Sequence, residues 1–185
     1  MYRLEFDIVA ILLCALTLTI FYAQRQVRNR RSRLFHILLW TITGSTFFSL
    51  LGSIFLNALP DIQVFPVIMV NTAYLLFHVS IPVLFCLYLL TLTDRFLTRP
   101  VYRILFFLPW AVLLVLIIAN IRYGIVFHFN ELNRYERGPA HLVLYLASSF
   151  YLLVLLVVLV RSYRSMLRFE VVAAVTSVLF LYVAM

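Results

Sequence analysis

The sequence predicts an all-α, polytopic transmembrane helix bundle that forms a single domain over residues 1–185. Hydrophobic residues make up 65% of the chain and its mean hydropathy is +1.05, whereas a typical soluble domain is about 45–50% apolar. The apolar residues form six runs, most of them close to the roughly 20 residues that a helix needs to cross a bilayer. The arginines lie almost wholly between these runs. The expected solvent for most of this chain is therefore lipid.

The placement of arginine predicts how the chain threads the membrane. Eleven of the fifteen arginines lie within residues 25–33, 95–103 and 161–168, together with one acid, Asp94. The alternate connections hold four arginines and five acids. Because arginine costs several kcal/mol to move through a bilayer, short loops that keep it stay cytoplasmic. We expect an inner or plasma membrane protein with an extracellular N-terminus; the net charge of +8 then indicates this bias and not a nucleic-acid partner.

The predicted spans are, in order, residues 6–23, 34–58, 64–93, 104–121, 140–160 and 170–185. Span one is longer than the apolar core of a signal peptide, and its positive charges follow the run, so we do not expect cleavage. Cys14 and Cys86 lie inside spans one and three, where we expect buried thiols and no disulfide.

Span two carries small polar residues at every fourth position, which places them on one helix face. Small residues allow close helix approach, and their hydroxyl groups offer interhelical hydrogen bonds. The predicted packing face consists of Gly44, Ser45, Ser49, Gly52, Ser53 and Asn57, and Thr41 continues the line. The alternative is that the same face lines a ligand site. Both interpretations require this face to look into the bundle.

Span three carries a second polar stripe, formed by Asn71, Tyr74 and His78. Buried amide and imidazole groups need partners, since an unpaired polar group in hydrocarbon costs several kcal/mol. We expect His78 to face span two near mid-membrane, as a structural hydrogen-bonding group or as part of a ligand or proton sensor. Pro82 is expected to kink this span.

Residues 125–129 form a short β-like run, residues 130–133 have the composition of a turn, and residues 134–137 and the breaker Gly138-Pro139 follow. This pattern predicts a short extracellular β-hairpin before span five, with an irregular interfacial loop as the alternative. Span five then opens with polar residues on its outer half. The candidate ligand-binding residues are Asn71, Tyr74, His78, His141 and Tyr145, with Arg134 and Arg137 of the hairpin offering positive charge to an anionic ligand.

Span six is short, at about 16 residues, and an even number of spans would return the chain to the outside. We therefore expect a seventh span beyond residue 185, with a complete six-span protein as the alternative. No soluble output domain lies within residues 1–185.

Several absences limit the chemistry that the sequence predicts. No Asp or Glu lies in the interior of a predicted span, although ion-coupled carriers normally place one there. The chain has no HExxH, GxSxG or phosphate-cradling glycine loop. We expect no catalytic residue, no metal and no cofactor. The alternatives to a binding module are a small-solute transporter and a membrane-embedded enzyme, for which His36 beside the first arginine cluster is the candidate residue.

Three segments follow the order of a known family. A single span precedes the basic loop 24–33, span three ends in LTLTD at 90–94, and FHF at 127–129 with YERGP at 135–139 leads into a tyrosine-rich span. In this order the chain resembles the N-terminal seven-span module that precedes GGDEF (diguanylate cyclase) or histidine kinase domains in many Firmicutes proteins. The chain departs from that family in lacking the seventh span and the output domain, so the family's catalytic residues have no counterpart here.

The resemblance implies a sensory input module that detects an extracellular or membrane-dissolved small ligand. The signal would pass to a cytoplasmic output domain beyond this chain, with cyclic-di-GMP synthesis as the expected output. The expected partners are the lipid bilayer, the ligand and a second copy of the chain in a homodimer. Catalysis would belong to the output domain and not to residues 1–185.

Overall fold

Five long helices and one pair of short strands form the part of the chain that the structure, a computed structural model, describes. The described residues are 4–23, 29–58, 64–92, 100–130 and 135–162. In chain order the elements are α1 (Leu4–Ala23), α2 (Arg30–Ala58), α3 (Val64–Leu92), α4 (Pro100–Tyr123), β1 (Phe127–Phe129), β2 (Tyr135–Arg137) and α5 (His141–Ser162). Each helix is long and apolar enough to cross a bilayer. The chain is therefore a helical, multi-span membrane protein.

Predicted spans one to five each correspond to one helix, and α2 and α4 begin about four residues earlier than predicted. The additional first turns carry arginine, which shows that these helices continue past the apolar run. Span six, at residues 170–185, lies outside the described residues. Cys14 and Cys86 are buried free thiols, as the apolar surroundings of both residues predict.

Local sequence signals account for several helix ends. The Asn29 side chain caps α2, because its Oδ1 accepts a hydrogen bond from the Ser32 amide at 2.8 Å. Pro100 begins α4, where its missing N–H is not needed. Gly124 ends α4 with a φ of +59°, and its N–H donates to the Asn120 carbonyl at 2.9 Å; this left-handed cap favours glycine. The helix α3 continues through Pro82.

The central helix is α3, which packs against α2, α4 and α5. On the far side of α2, α1 packs against that helix and leaves most of its large apolar side chains exposed. Two clusters of buried side chains fill the space around α3. One surrounds Cys86, Leu89 and Tyr151, and the other joins Ile117 of α4 to Phe127 of β1. Most of the buried side chains in these two clusters come from α3, α4 and α5.

The two strands pair antiparallel, with Phe127 opposite Arg137 and Phe129 opposite Tyr135; the connecting residues 131–134 lie outside the described chain. The buried Asn120 side chain holds β1 against the end of α4, because its Oδ1 accepts hydrogen bonds from the amides of Val126 and Phe127 at 2.6 and 3.1 Å. We call the end of the bundle with these strands the strand end. The opposite end, where α2 and α4 begin, is the arginine end.

Candidate functional site

A cavity of about 240 Å³ opens between α2 and α3 at the strand end; we call it the polar cavity because serine, asparagine and tyrosine contribute to a lining that is otherwise apolar. Its walls combine three parts of the chain that are distant in sequence. The lining residues are Ser49, Gly52, Ser53 and Leu56 of α2, Asn71, Tyr74 and Leu75 of α3, and Tyr135 of β2. The cavity therefore joins the predicted small-residue face of span two to the polar stripe of span three.

A carboxylate from α1 lies directly behind two of these lining residues. The Ser49 hydroxyl donates to Asp7 Oδ1, and the Ser53 hydroxyl donates to Asp7 Oδ2, each at 2.9 Å. Asp7 lies in the first turn of α1, where the helix dipole favours negative charge. By its position Asp7 counts among the acids of the N-terminal connection, at the edge of predicted span one. Because α1 begins at Leu4, Asp7 belongs to the first turn of the helix and not to a connection.

The glycines of α2 face α3, whereas the two serine hydroxyls face α1. A Cβ added at Gly52 would lie 3.7 Å from a Val70 methyl group and 3.8 Å from the Asn71 amide nitrogen. A Cβ at Gly44 would lie 2.9 Å from the Phe77 ring. Ser45 and Ser53 are buried. The 29-residue helix α2 has a different neighbour on each side. The predicted packing face of span two is therefore divided: its glycines face α3, and the hydroxyls of Ser49 and Ser53 face α1.

Two of the three residues in the polar stripe of α3, those nearer the strand end, belong to the site. Asn71 and Tyr74 line the cavity, and the Asn71 Nδ2 group donates to the Val67 carbonyl at 2.9 Å. His78 is half-buried one turn further along α3, with its ring 5.2 Å from that of Tyr74. The neighbouring Phe77 contacts α2, with its ring stacked on Phe48 at 5.6 Å. His78 therefore continues the polar stripe of α3 inward from the cavity wall.

The predicted residues of span five form a second group at the rim. The rings of His141 and Tyr145 are 5.4 Å apart, and the Arg137 guanidinium carbon lies 5.9 Å from the Tyr145 ring centre. His141 Nδ1 lies 3.2 Å from the Val126 carbonyl oxygen, which can only accept, so Nδ1 carries the proton. Tyr135 connects this group to the cavity, because its ring is 6.5 Å from that of His141.

Two candidate residues cannot be placed. Arg134 lies outside the described residues, and so does the side chain of Asn57. Sequence reasoning missed Asp7 and Tyr135. The apolar residues Leu4 and Phe6, which precede Asp7, are the signal that could have placed it on a helix. Tyr135 had no such signal, because only the pairing of β1 with β2 brings it over α3.

The polar contacts outside this site have simpler roles. His128 and Glu136 form an exposed pair across the two strands, with 3.2 Å between Nε2 and Oε2. At the arginine end, the Trp40 indole N–H donates to His36 Nε2 at 2.8 Å, and the Tyr22 hydroxyl bonds to the same nitrogen. These contacts attach the end of α1 to α2. A larger cavity of about 470 Å³ faces Phe77, Ser80 and Trp110, but its surface is almost wholly apolar and suits hydrocarbon.

The polar groups that the described residues bring to the site are ones that form hydrogen bonds and do not include a metal-binding cluster. Within the described ranges, no three His, Cys, Asp or Glu side chains are grouped to hold a metal ion. The cavity offers hydroxyl, amide and phenol groups, with one carboxylate behind them. Comparison of the chain with protein-family models, with curated proteins and with solved structures gives no significant match. The function must therefore be argued from the residues of the site.

Proposed function

We propose that this chain is a membrane-embedded signal-input module that binds a small ligand at the strand end and relays binding to a cytoplasmic output domain beyond the chain. A diguanylate cyclase or a histidine kinase is the expected class of output. The observation that supports this proposal is the polar cavity between α2 and α3, with Asp7 of α1 behind it. Polar and ionisable groups inside a membrane bundle are costly, and they usually mark a ligand or ion site.

The proposal includes an extracellular N-terminus, because eleven arginines lie in connections that would then be cytoplasmic. The strand end then faces the outside, and the cavity is reachable by an extracellular or membrane-dissolved ligand. The rim formed by Tyr135, His141 and Arg137 lies where such a ligand would enter.

The relay would act through the contact between α2 and α3. A ligand shifts a conformational equilibrium only when it binds two arrangements of the bundle unequally. Gly52 and Gly44 let α2 lie close to α3, and small residues permit two helices to slide. Because α3 continues without interruption from Asn71 and Tyr74 at the cavity to Leu92 near the arginine end, a displacement beside Gly52 can reach the cytoplasmic side.

A thermal-shift screen of the purified chain with small polar compounds tests ligand binding. Ser53→Leu should remove the shift of any true ligand, because leucine fills the cavity and breaks the bond to Asp7. Ser149→Leu is the matched control, since Ser149 is exposed on α5. Compounds that stabilise the wild type and Ser149→Leu but not Ser53→Leu support the site. If every active compound shifts all three proteins equally, the cavity is not a binding site.

Labelling with a membrane-impermeant maleimide tests the orientation. Cys14 and Cys86 are buried, so they should give little background. In intact cells, Asn130→Cys should react and Asn29→Cys should not. The reverse labelling pattern would place the cavity on the cytoplasmic side and end the proposal of an extracellular signal.

One observation favours a second function. Asp7 is a half-buried carboxylate in a helix that can span the membrane, and such an acid is typical of a small-solute transporter. Uptake of the screened ligand by reconstituted vesicles, lost in Asp7→Asn, would establish transport. A membrane-embedded enzyme has less support, because the His36 nitrogen facing Trp40 already accepts a hydrogen bond.

A further inference from the structure

We propose that the cavity recognises a small organic cation, such as a protonated amine. This inference rests on the proposed function and names the chemical class of its ligand. It differs from the anionic ligand that Arg134 and Arg137 suggested in the sequence, because the charge behind the cavity is negative.

The hydrogen-bond directions make the cavity rich in acceptors. A serine hydroxyl has one hydrogen and two lone pairs. Ser49 and Ser53 both direct their hydrogen to Asp7, so each oxygen keeps its lone pairs for a ligand. Asn71 uses one amide hydrogen on the Val67 carbonyl, and its Oδ1 lies near Gly52 at the cavity wall. Three oxygen atoms thus offer lone pairs to the cavity.

The electrostatics favour a positive ligand. Among the described residues, hydroxyl groups alone donate hydrogen bonds to the Asp7 carboxylate. Two neutral hydroxyls leave the negative charge of the Asp7 carboxylate uncompensated beside an apolar bundle. A cation in the cavity would be attracted to this charge, because only the side chains of Ser49 and Ser53 separate the two. An anion would meet both the carboxylate and the lone pairs. The Arg137 guanidinium lies over Tyr145 at the rim and not in the cavity wall.

The size and the aromatic walls favour an organic cation over a bare ion. A volume of 240 Å³ corresponds to about eight water molecules at roughly 30 Å³ each, far more than one metal ion needs. Tyr74 and Tyr135 line the same space, and the faces of aromatic rings attract ammonium groups. A single carboxylate and two tyrosines therefore match an amine with a few carbon atoms.

Calorimetric titration of the detergent-solubilised full chain tests the inference. The cationic probes are ammonium, ethylammonium and tetramethylammonium chloride, and the comparison probes are sodium chloride, potassium chloride, sodium propionate and 1-propanol at matched ionic strength. We expect at least one organic cation to bind, with affinity reduced at least about tenfold in Asp7→Asn. Glu136→Gln is the matched control, because Glu136 lies exposed on β2, and it should bind as the wild type does.

A second pair of variants protects the test if Asp7→Asn loosens α1. Tyr74→Phe keeps the aromatic ring and should keep amine binding, whereas Tyr74→Leu should weaken it, with both proteins checked for unchanged thermal unfolding without ligand.

Each remaining outcome has a definite meaning. Equal binding of sodium or potassium would show an inorganic ion site and overturn the inference. Neutral or anionic compounds that bind in a manner lost in Ser53→Leu, with no cationic one, would also overturn it while leaving the proposed function intact. If no compound from the panel or the screen depends on Ser53, the proposed function fails and this inference fails with it.

Discussion

The two sides of α3 differ in what they pack against. Toward α4 and α5, large side chains such as Leu89, Leu113 and Ile117 are at most 2% exposed, and the cavity of about 470 Å³ between α3 and α4 is almost wholly apolar. Toward α2, the contact includes glycines and hydroxyls, and a cavity with polar groups opens there. We call the side toward α4 and α5 the rigid side, because large buried side chains dominate it. In the proposed function, the rigid side is the reference against which a displacement of α2 would be felt.

A tyrosine joins the helices of the rigid side. The Tyr151 hydroxyl of α5 donates to the Phe106 carbonyl at 2.7 Å and accepts from the Trp110 amide at 3.2 Å. Phe106 and Trp110 are four residues apart in α4 and lie on either side of Pro109. Proline has no N–H, so Pro109 cannot donate a backbone hydrogen bond to the preceding turn. The Trp110 indole donates to Ser80 of α3 at 3.1 Å. Hydrogen bonds therefore connect α3, α4 and α5 near Pro109, where α4 lacks one backbone hydrogen bond.

The largest expected effect comes from Gly138→Ala, which would break the rigid side at the strand end. A Cβ at this position overlaps the backbone of Ile125, and backbone atoms cannot move aside as a flexible side chain can. We expect a loss of more than about 3 kcal/mol in the free energy of unfolding, measured in mixed detergent–SDS micelles. Gly124→Ala should lose only about 1–2 kcal/mol, the cost of a left-handed conformation. Equal losses in both variants would contradict the packing of the strands on α4.

Tyr151→Phe should have the next largest effect. Removing the hydroxyl leaves buried groups of α4 without their partner, which costs about 1–3 kcal/mol. Tyr123→Phe is the control, because Tyr123 is 69% exposed, and it should change the unfolding free energy little. If Tyr151→Phe is as stable as the control, α4 does not depend on α5 at Pro109 and the rigid side is less connected than its hydrogen bonds suggest.

Alanine substitutions at Gly44 and Gly52 of α2 should change the free energy of unfolding by different amounts, because only Gly44 has a neighbour too close for an added Cβ. At Gly44 a new Cβ would lie 2.9 Å from the Phe77 ring, so the ring must move and we expect a loss of about 1 kcal/mol. At Gly52 the nearest atoms are 3.7 Å away, so the change should stay within about 0.5 kcal/mol. The same unfolding measurement would contradict this difference if Gly52→Ala were the more damaging variant.

Ser53→Ala should have a smaller effect on stability than Gly44→Ala, close in size to that of Gly52→Ala. It removes one interhelical hydrogen bond to Asp7, and such bonds contribute about 0.6 kcal/mol on average in membrane bundles. Thr43→Val is the matched control, because its hydroxyl bonds only to the Leu39 carbonyl of its own helix. A loss above about 2 kcal/mol in Ser53→Ala alone would show that the bond to Asp7 mainly holds α1 in place, which would weaken the interpretation of the cavity as a ligand site.

Part of the candidate site could be predicted from the sequence. The four-residue spacing in α2 groups Ser49 with Ser53, and the stripe in α3 groups Asn71 with Tyr74; all four residues line one cavity in the structure. Periodicity reports which residues share a helix face, so it succeeds within one helix. It cannot report which neighbour that face meets, and only the structure shows that the hydroxyls of Ser49 and Ser53 bond to Asp7 of α1.

The sequence by itself determined the class of this protein and five of its helices, because the cost of placing polar backbone and arginine in lipid acts on every segment independently of its neighbours. Only the tertiary structure decided that α3 is central, that Asp7 lies behind the cavity and that Tyr135 lies over it. Those facts depend on contacts between segments far apart in the chain. In the lipid-exposed helices, most apolar residues are interchangeable, so few positions encode which helices meet.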